Sequence, residues 1–280
     1  MTVSNLKINN IYNEDCFKTM GKMNDGFVNI ILTSPPYNTS RTPKNKKNME
    51  HLLKTHQTRY DVYTDTFTDD EYIAFTLKLF NEFDRIVSKN GVVLYNLSYS
   101  SENTYLIWLV VAEIIKNTNW TVADDIIWKK KSALPNNVSP NKLTRIVEHI
   151  FVFCRKNEFK TFNCNKKVKS VRKTGQKSFE NIFNFIEAPN NDGRNDLNKA
   201  TYSTELCEKI LTIYAKDGSL IYDPFNGTGT TCVDCKKLNL NYIGSELSEA
   251  QCEYAINRVE KTSNKIKETE WKRQWVCTKK

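Results

Sequence analysis

The run Ser219-Leu220-Ile221-Tyr222-Asp223-Pro224-Phe225-Asn226-Gly227-Thr228-Gly229-Thr230-Thr231 reads as a short buried strand, a glycine turn and a helix beginning near Thr230. Two glycines let the backbone approach a ligand closely. The third glycine of the dinucleotide fingerprint is missing, as is the Gly-Lys-Ser/Thr ending of a phosphate loop, which makes a pyrophosphate ligand less suitable. The next strand, Asn241-Tyr242-Ile243-Gly244, ends in Ser245-Glu246. It places a carboxylate about 20 residues after Asp223, the spacing at which an acidic group grips ribose hydroxyls. A nucleoside-bearing cofactor fits this pattern.

A second strand-to-turn junction lies near the other end of the chain. Phe27-Val28-Asn29-Ile30-Ile31-Leu32 is a mostly buried strand, and Thr33-Ser34-Pro35-Pro36-Tyr37-Asn38 follows it at once. Successive prolines fix φ and remove two backbone donors, which leaves carbonyls free to accept hydrogen bonds from a guest such as an amino group. Taken alone, the same string suits a plain Pro-Pro loop with a surface tyrosine.

Between these junctions strands and helices alternate, as in a doubly wound sheet. Thr68-Asp69-Asp70-Glu71 has the form of a capping box. Tyr72, Phe75, Leu79, Phe83 and Ile86 then recur on one helical face, and Asn90-Gly91 is the expected stop. A strand over 92–95, a helix over 103–116, a strand over 120–128 and another over 146–153 follow. The apolar run 105–112 is too short to span a bilayer and reads as a buried helix. Ser248-Glu249-Ala250-Gln251 is a second candidate capping box. The turn-rich stretch 190–196 reads as a linker.

The two junctions, in this order, resemble those of the DNA methyltransferases that modify exocyclic amino groups, N4 of cytosine or N6 of adenine. The resemblance is to the subgroup whose catalytic motif precedes its cofactor motif. It extends from Asn13-Glu14-Asp15-Cys16 to Gly244-Ser245-Glu246. It implies a Rossmann-like α/β fold: a doubly wound, mostly parallel sheet with helices on both faces and a small target-recognition insertion. It also implies S-adenosylmethionine as cofactor. Asp223, Pro224, Phe225, Gly227, Gly229 and Glu246 would hold it, with Asp15 near its adenine and Thr230 and Thr231 near its carboxylate end. The chain would divide into a catalytic half (1–160), a target-recognition region with linker (161–198), a cofactor half (199–262) and a basic tail (263–280).

An exocyclic amine is a poor nucleophile because its lone pair is delocalised into the ring. Accepting hydrogen bonds from its protons shifts it toward a reactive tetrahedral nitrogen, so the turn Ser34, Pro35, Pro36, Tyr37 must supply acceptors. The Ser34 side chain and the Pro35 carbonyl take that role, prearranged in a dry site. Tyr37 would stack on the base. In-line placement of the methyl donor makes much of the acceleration a matter of positioning. The target base must be flipped out of the duplex. No metal is required.

Three positions depart from the family pattern. Ser34 stands where many relatives carry Asp, which leans the reading toward cytosine N4; Glu14 replaces a usual Gly; and Lys199-Ala200-Thr201-Tyr202-Ser203 stands for an expected His-Pro element.

A formal charge of +9 over 280 residues suits a nucleic-acid partner, here double-stranded DNA. Basic residues cluster at 41–59, 129–131 and 166–177. Lys166, Lys167, Lys169, Arg172 and Lys173 lie where the family places its recognition region and are the candidate DNA contacts, whereas Lys129 to Lys131 read as a solvated run. The polar loop 132–140 suits either base reading or an ordinary turn, and 41–58 either a DNA-contacting lid or disorder. Cys232-Val233-Asp234-Cys235 has no second pair and reads as helix packing. Eight cysteines without a signal peptide suggest reduced thiols and a cytoplasmic setting, and three histidines form no ligand spacing. A homodimer is expected by analogy alone. Two other readings stay open: a non-catalytic DNA-binding paralogue, and a methyltransferase acting on RNA or protein amides.

Overall fold

A strand apolar on both faces is stable only in the middle of a sheet covered on both sides, and Val28–Thr33 occupies that place. The computed structural model describes residues 6–38, 67–99, 103–132, 139–193, 197–198 and 201–264. In chain order its strands are β1 (Asn10–Tyr12), β2 (Val28–Thr33), β3 (Val87–Leu97), β4 (Trp120–Lys130), β5 (Val147–Arg155), β6 (Val168–Val171), β7 (Lys177–Phe179), β8 (Phe185–Ala188), β9 (Leu220–Asp223) and β10 (Asn241–Ser245). The α-helices are α1 (Cys16–Met20), α2 (Asp69–Ile86), α3 (Leu106–Asn117), α4 (Thr204–Tyr214), α5 (Thr230–Lys237) and α6 (Glu249–Glu260).

Eight strands form one sheet in the order β1-β10-β9-β2-β3-β5-β4-β8. All neighbours are parallel except those of β5, which runs against β3 and β4. Strand residues alternate between two apolar layers. Ile30, Leu32, Val92, Leu94 and Ile221 face one layer with α4, α5 and α6, and Ile31, Val93, Tyr95 and Tyr222 face the other with α1, α2 and α3. The expected helices on both faces are therefore present. In the second layer Phe80 lies edge-on to Tyr95, Trp120 and Phe153 at centroid distances of 5.2, 6.2 and 4.8 Å. Truncating such a residue costs about 3–5 kcal/mol.

The sheet's centre fixes where a ligand can bind. β2 and β9 are parallel neighbours, Ile30 opposite Ile221 and Ile31 opposite Tyr222. The helix after β9 covers one face while α2, after β2, covers the other. Where successive crossovers part to opposite faces, a crevice opens beyond the strands' carboxyl ends.

Three local expectations are corrected. α2 ends at Ile86, not at Asn90-Gly91, because Val87 already pairs with Val28; Asn90, at φ 60°, lies at the register shift before Val92 pairs with Ile30. The 105–112 helix is only half buried: Leu106, Ile107, Val110 and Val111 face the core, while Tyr105, Trp108 and Leu109 are exposed. At α6, Ser248 Oγ accepts the Gln251 N–H, but the reciprocal bond goes elsewhere. The Ser248 N–H donates to Glu246, and Gln251 accepts from Asn198. Within the described part of the linker, Asp192 ties the start of α4 to Arg258. The capping box of α2 forms as expected, with both reciprocal bonds between Thr68 and Glu71.

Cys232 and Cys235 are buried in the first layer, and burial pushes both thiols well up from their ordinary value. Asp234 between them is fully buried, and burial raises its carboxyl to about 7 although Lys237 donates to one oxygen at 3.0 Å. A carboxyl raised on folding contributes most stability below its unfolded value and loses it as pH rises through the folded one. Denaturant melts should therefore show stability falling between pH 4 and 8 by up to about 4 kcal/mol. In Asp234→Asn that fall should shrink; an unchanged pH profile would refute the assignment. Among the described residues no helix is long and apolar enough to cross a membrane.

Candidate active site

Both turns meet beyond the carboxyl ends of β9 and β2, and Asp223 joins them. This residue closes β9 and is 2% exposed. One oxygen accepts from Thr33 Oγ1 on β2 at 2.7 Å and from the Phe225 N–H at 3.1 Å. The other accepts from Thr231 Oγ1 at 2.6 Å and Tyr202 Oη at 3.4 Å. Burial raises the Asp223 carboxyl while these donors oppose the rise. Four converging donors suit an acceptor-only carboxylate.

Glu246, just past β10, holds the glycine turn from the other side. Its Oε2 accepts the Gly227 N–H at 2.7 Å and its Oε1 the Ser248 N–H at 2.9 Å. The cleft between these groups contains about 950 Å³ of empty space, part of it open to solvent. Asp15, Asp223, Pro224, Phe225, Gly227, Thr230 and Glu246 line it, as do Ser34 and Pro36. Sequence reasoning passed over Asn198, Asn226 and Gln251, which also line it, and assigned Phe75 only to packing.

Gly229 and Thr231 are not among the lining residues. Thr231 is buried and bonded to Asp223 and to Tyr202. Gly229, at φ +83°, sits against α6, where a Cβ would lie 2.8 Å from that of Ala255. Its lack of a Cβ permits this helix contact. Tyr202, from the element that replaces His-Pro, braces the turn through Asp223 and Thr231.

At the Pro-Pro turn the Pro36 carbonyl is already occupied, accepting from Tyr72 Oη of α2 at 2.7 Å. No donor among the described residues reaches the Pro35 carbonyl, the expected acceptor. Ser34 Oγ lies 2.6 Å from Tyr37 Oη, and Tyr37 Oη donates to Glu148 Oε2 at 3.2 Å. Asn96 Nδ2 donates to Tyr37 Oη at 2.5 Å and to Glu148 Oε2 at 3.0 Å, and Lys130 Nζ donates to Glu148 Oε1 at 2.5 Å. Asn96 and Glu148 are 4% and 8% exposed. The Asn96 Oδ1 atom is buried and has no donor among the described residues. Sequence reasoning missed Asn96 and Glu148 and read Lys130 as solvated. Each member of the 129–131 run is instead paired, with Glu187, Glu148 and Glu205 in turn.

Lys167 lies at the root of a two-stranded ribbon, β6 with β7, and Lys169, Arg172 and Lys173 lie along it. Both strands are largely exposed and pair only with each other, and Lys166 immediately precedes the ribbon. None of these five residues lines the cleft. The lid at 41–58, His51, His56, the loop centre at 133–138 and the tail from 265 lie outside the described residues.

A family model described as DNA methylase matches residues 28–257. The chain is 26% identical over 263 residues to the Type II methyltransferase M.HinfI of Haemophilus influenzae, spanning 90% of this chain and 68% of that protein. It is 25% identical over 278 residues to the Type II methyltransferase M.MthZI of Methanothermobacter thermautotrophicus, spanning 88% and 76%. Among solved structures, PvuII DNA methyltransferase (cytosine-N4-specific) superposes with a TM-score of 0.67 at 15% identity, covering 93% of this chain and 89% of that one. That likeness supports the fold.

Proposed function

Since the chain belongs to the N6/N4 DNA methylase family, we propose that it transfers a methyl group from S-adenosylmethionine to the exocyclic amine of a base flipped from double-stranded DNA, cytosine N4 ahead of adenine N6. The observation that carries this reading is a shared wall. Ser34, at the acceptor turn, lines the same cleft as Asp223, Phe225 and Glu246, so base and cofactor sites adjoin.

The cleft's chemistry fits the cofactor. Phe225 and Phe75 offer ring surface, Asp15 and Glu246 offer carboxylates suited to hydroxyls or an amino group, and Asn226 Nδ2 is a buried donor without a partner among the described residues. When bound, S-adenosylmethionine supplies an electrophilic methyl carbon on a sulfonium. The protein's part is to orient the amine and accept hydrogen bonds from its protons, through Ser34 Oγ and the Pro35 carbonyl, while the Tyr37 ring stacks on the base. Asp223 and Thr231 keep the cofactor turn in place. Ribbon residues Lys166, Lys167, Lys169, Arg172 and Lys173 would contact DNA phosphates, and the functional division is 1–160, 161–198, 199–262 and 263–280. The lean to cytosine rests on Ser34.

Incubation with unmethylated genomic DNA and labelled S-adenosylmethionine, followed by nucleoside mass spectrometry, tests this. Labelled N4-methylcytosine is the expected product. Labelled N6-methyladenine would keep the class and overturn the base; cofactor binding with no labelled nucleoside would overturn DNA as acceptor. Sedimentation with and without DNA tests the homodimer.

A further inference from the structure

We propose that Glu148 is a positioning residue that turns the Ser34 hydroxyl into a hydrogen-bond acceptor, acting through the Tyr37 hydroxyl. The inference rests on the methyltransferase reading above and extends it to residues that neither turn contains.

A serine hydroxyl carries one hydrogen and two lone pairs. Facing an amine, it works as an acceptor only if its own hydrogen is engaged elsewhere. Tyr37 Oη, 2.6 Å away, is positioned to receive that hydrogen, provided the tyrosine's own hydrogen points onward. Glu148 Oε2, at 3.2 Å and paired through its other oxygen with Lys130, is the acceptor that receives it and so sets the direction. The chain of donors is therefore directional: base N–H to Ser34 Oγ–H, to Tyr37 Oη–H, to the Glu148 carboxylate. Lys130 Nζ, 2.5 Å from the other oxygen, pairs the buried carboxylate with a counter-charge. Asn96 Nδ2 donates to both Glu148 Oε2 and Tyr37 Oη, which ties the carboxylate to the tyrosine hydroxyl. Hydrogen bonds linked in series polarise one another at low local dielectric, so the Ser34 oxygen becomes a stronger acceptor than an isolated serine. Tyr37 then has two separable roles, its ring for stacking and its hydroxyl for this relay.

The topology explains how Glu148 reaches the site. β5 is antiparallel to its neighbours, so its first residues, not its last, stand at the rim where β3 and β4 end.

The test is a double-mutant cycle on the rate of a single round of methyl transfer, with cofactor and DNA affinities measured separately. Tyr37→Phe keeps the ring and Glu148→Gln keeps the side-chain shape. Each should slow transfer about 10- to 100-fold, by analogy with removing one preorganised polar contact, with both affinities changed less than about threefold. In a Ser34→Ala background neither substitution should slow transfer further, since both act through that hydroxyl. Wild-type rates in both single variants would overturn the proposal. So would full additivity with Ser34→Ala, which is the mark of a structural role. Failure of the wild-type protein itself to methylate DNA would instead refute the methyltransferase reading.

Discussion

Asp223→Ala is expected to abolish measurable methyl transfer and to lower the free energy of unfolding by about 1–3 kcal/mol, the range for leaving buried hydrogen-bond donors without their acceptor. The size follows from what the carboxylate holds. It accepts from Thr33, Phe225, Thr231 and Tyr202, groups from a strand, a turn, a helix start and the segment before α4. Without it the buried Thr33 and Thr231 hydroxyls lose an acceptor, and the two turns lose their only shared ligand among the described residues. Urea melts read the stability and calorimetric titration with S-adenosylmethionine reads the site. A variant with the wild-type midpoint and cofactor affinity would show that the network is incidental. Asp223→Asn should fall between, since its amide offers one acceptor oxygen where the carboxylate offers two.

Gly229→Val should be nearly as damaging, for a steric reason. At φ +83° a β-branched residue is strained by about 1–3 kcal/mol. Its Cβ would also stand 2.8 Å from Ala255 Cβ and 3.2 Å from Ala255 Cα, so α6 must move away from the turn. Overpacking adds about 1–3 kcal/mol. Because Glu246 and Ser248 lead directly into α6, that movement also disturbs the carboxylate on the Gly227 N–H. Cofactor affinity should drop at least tenfold. Gly218→Ala is the control: φ there is +75° but no atom lies within 4 Å of a Cβ, so only strain is introduced and affinity should stay at the wild-type level. Equal losses in both variants would remove the packing argument.

These two cases mark how far the sequence could be read. The strand-turn pairs at 28–37 and 220–231 were legible because an apolar run followed at once by Pro-Pro or Gly-x-Gly is a local signal. Ser34, Asp223 and Glu246 came with them. Asn96 and Glu148 were not legible, because each is a single polar residue near a strand's end, and Lys130 was hidden within a basic run that reads as solvated. Only the pairing of Asn96 opposite Ile150 and Trp128 opposite Glu148 brings them to one rim. The contact of Gly229 with α6 was not legible, because the motif shows a glycine but not the Ala255 that faces it. The end of α2 was misplaced because Asn90-Gly91 is a sound stop signal that here serves a register shift within β3. Ser248 and Gln251 had the right spacing for a capping box, yet Asn198 claims the glutamine's oxygen.

The strand order also governs the sequence of events during synthesis. β1 and β2 leave the ribosome first but do not pair with each other; β9 and β10, made some 200 residues later, fill the gap between them. Until residues 220–245 emerge, β2 presents an unpaired apolar edge at what becomes the middle of the sheet. Its final closure is a late, long-range insertion of the kind that slows folding and exposes a nascent chain to aggregation. A ribosome-stalled chain ending before Leu220 is thus expected to be protease-sensitive around β2, whereas release of the full chain should close that window and complete both turns in a single step.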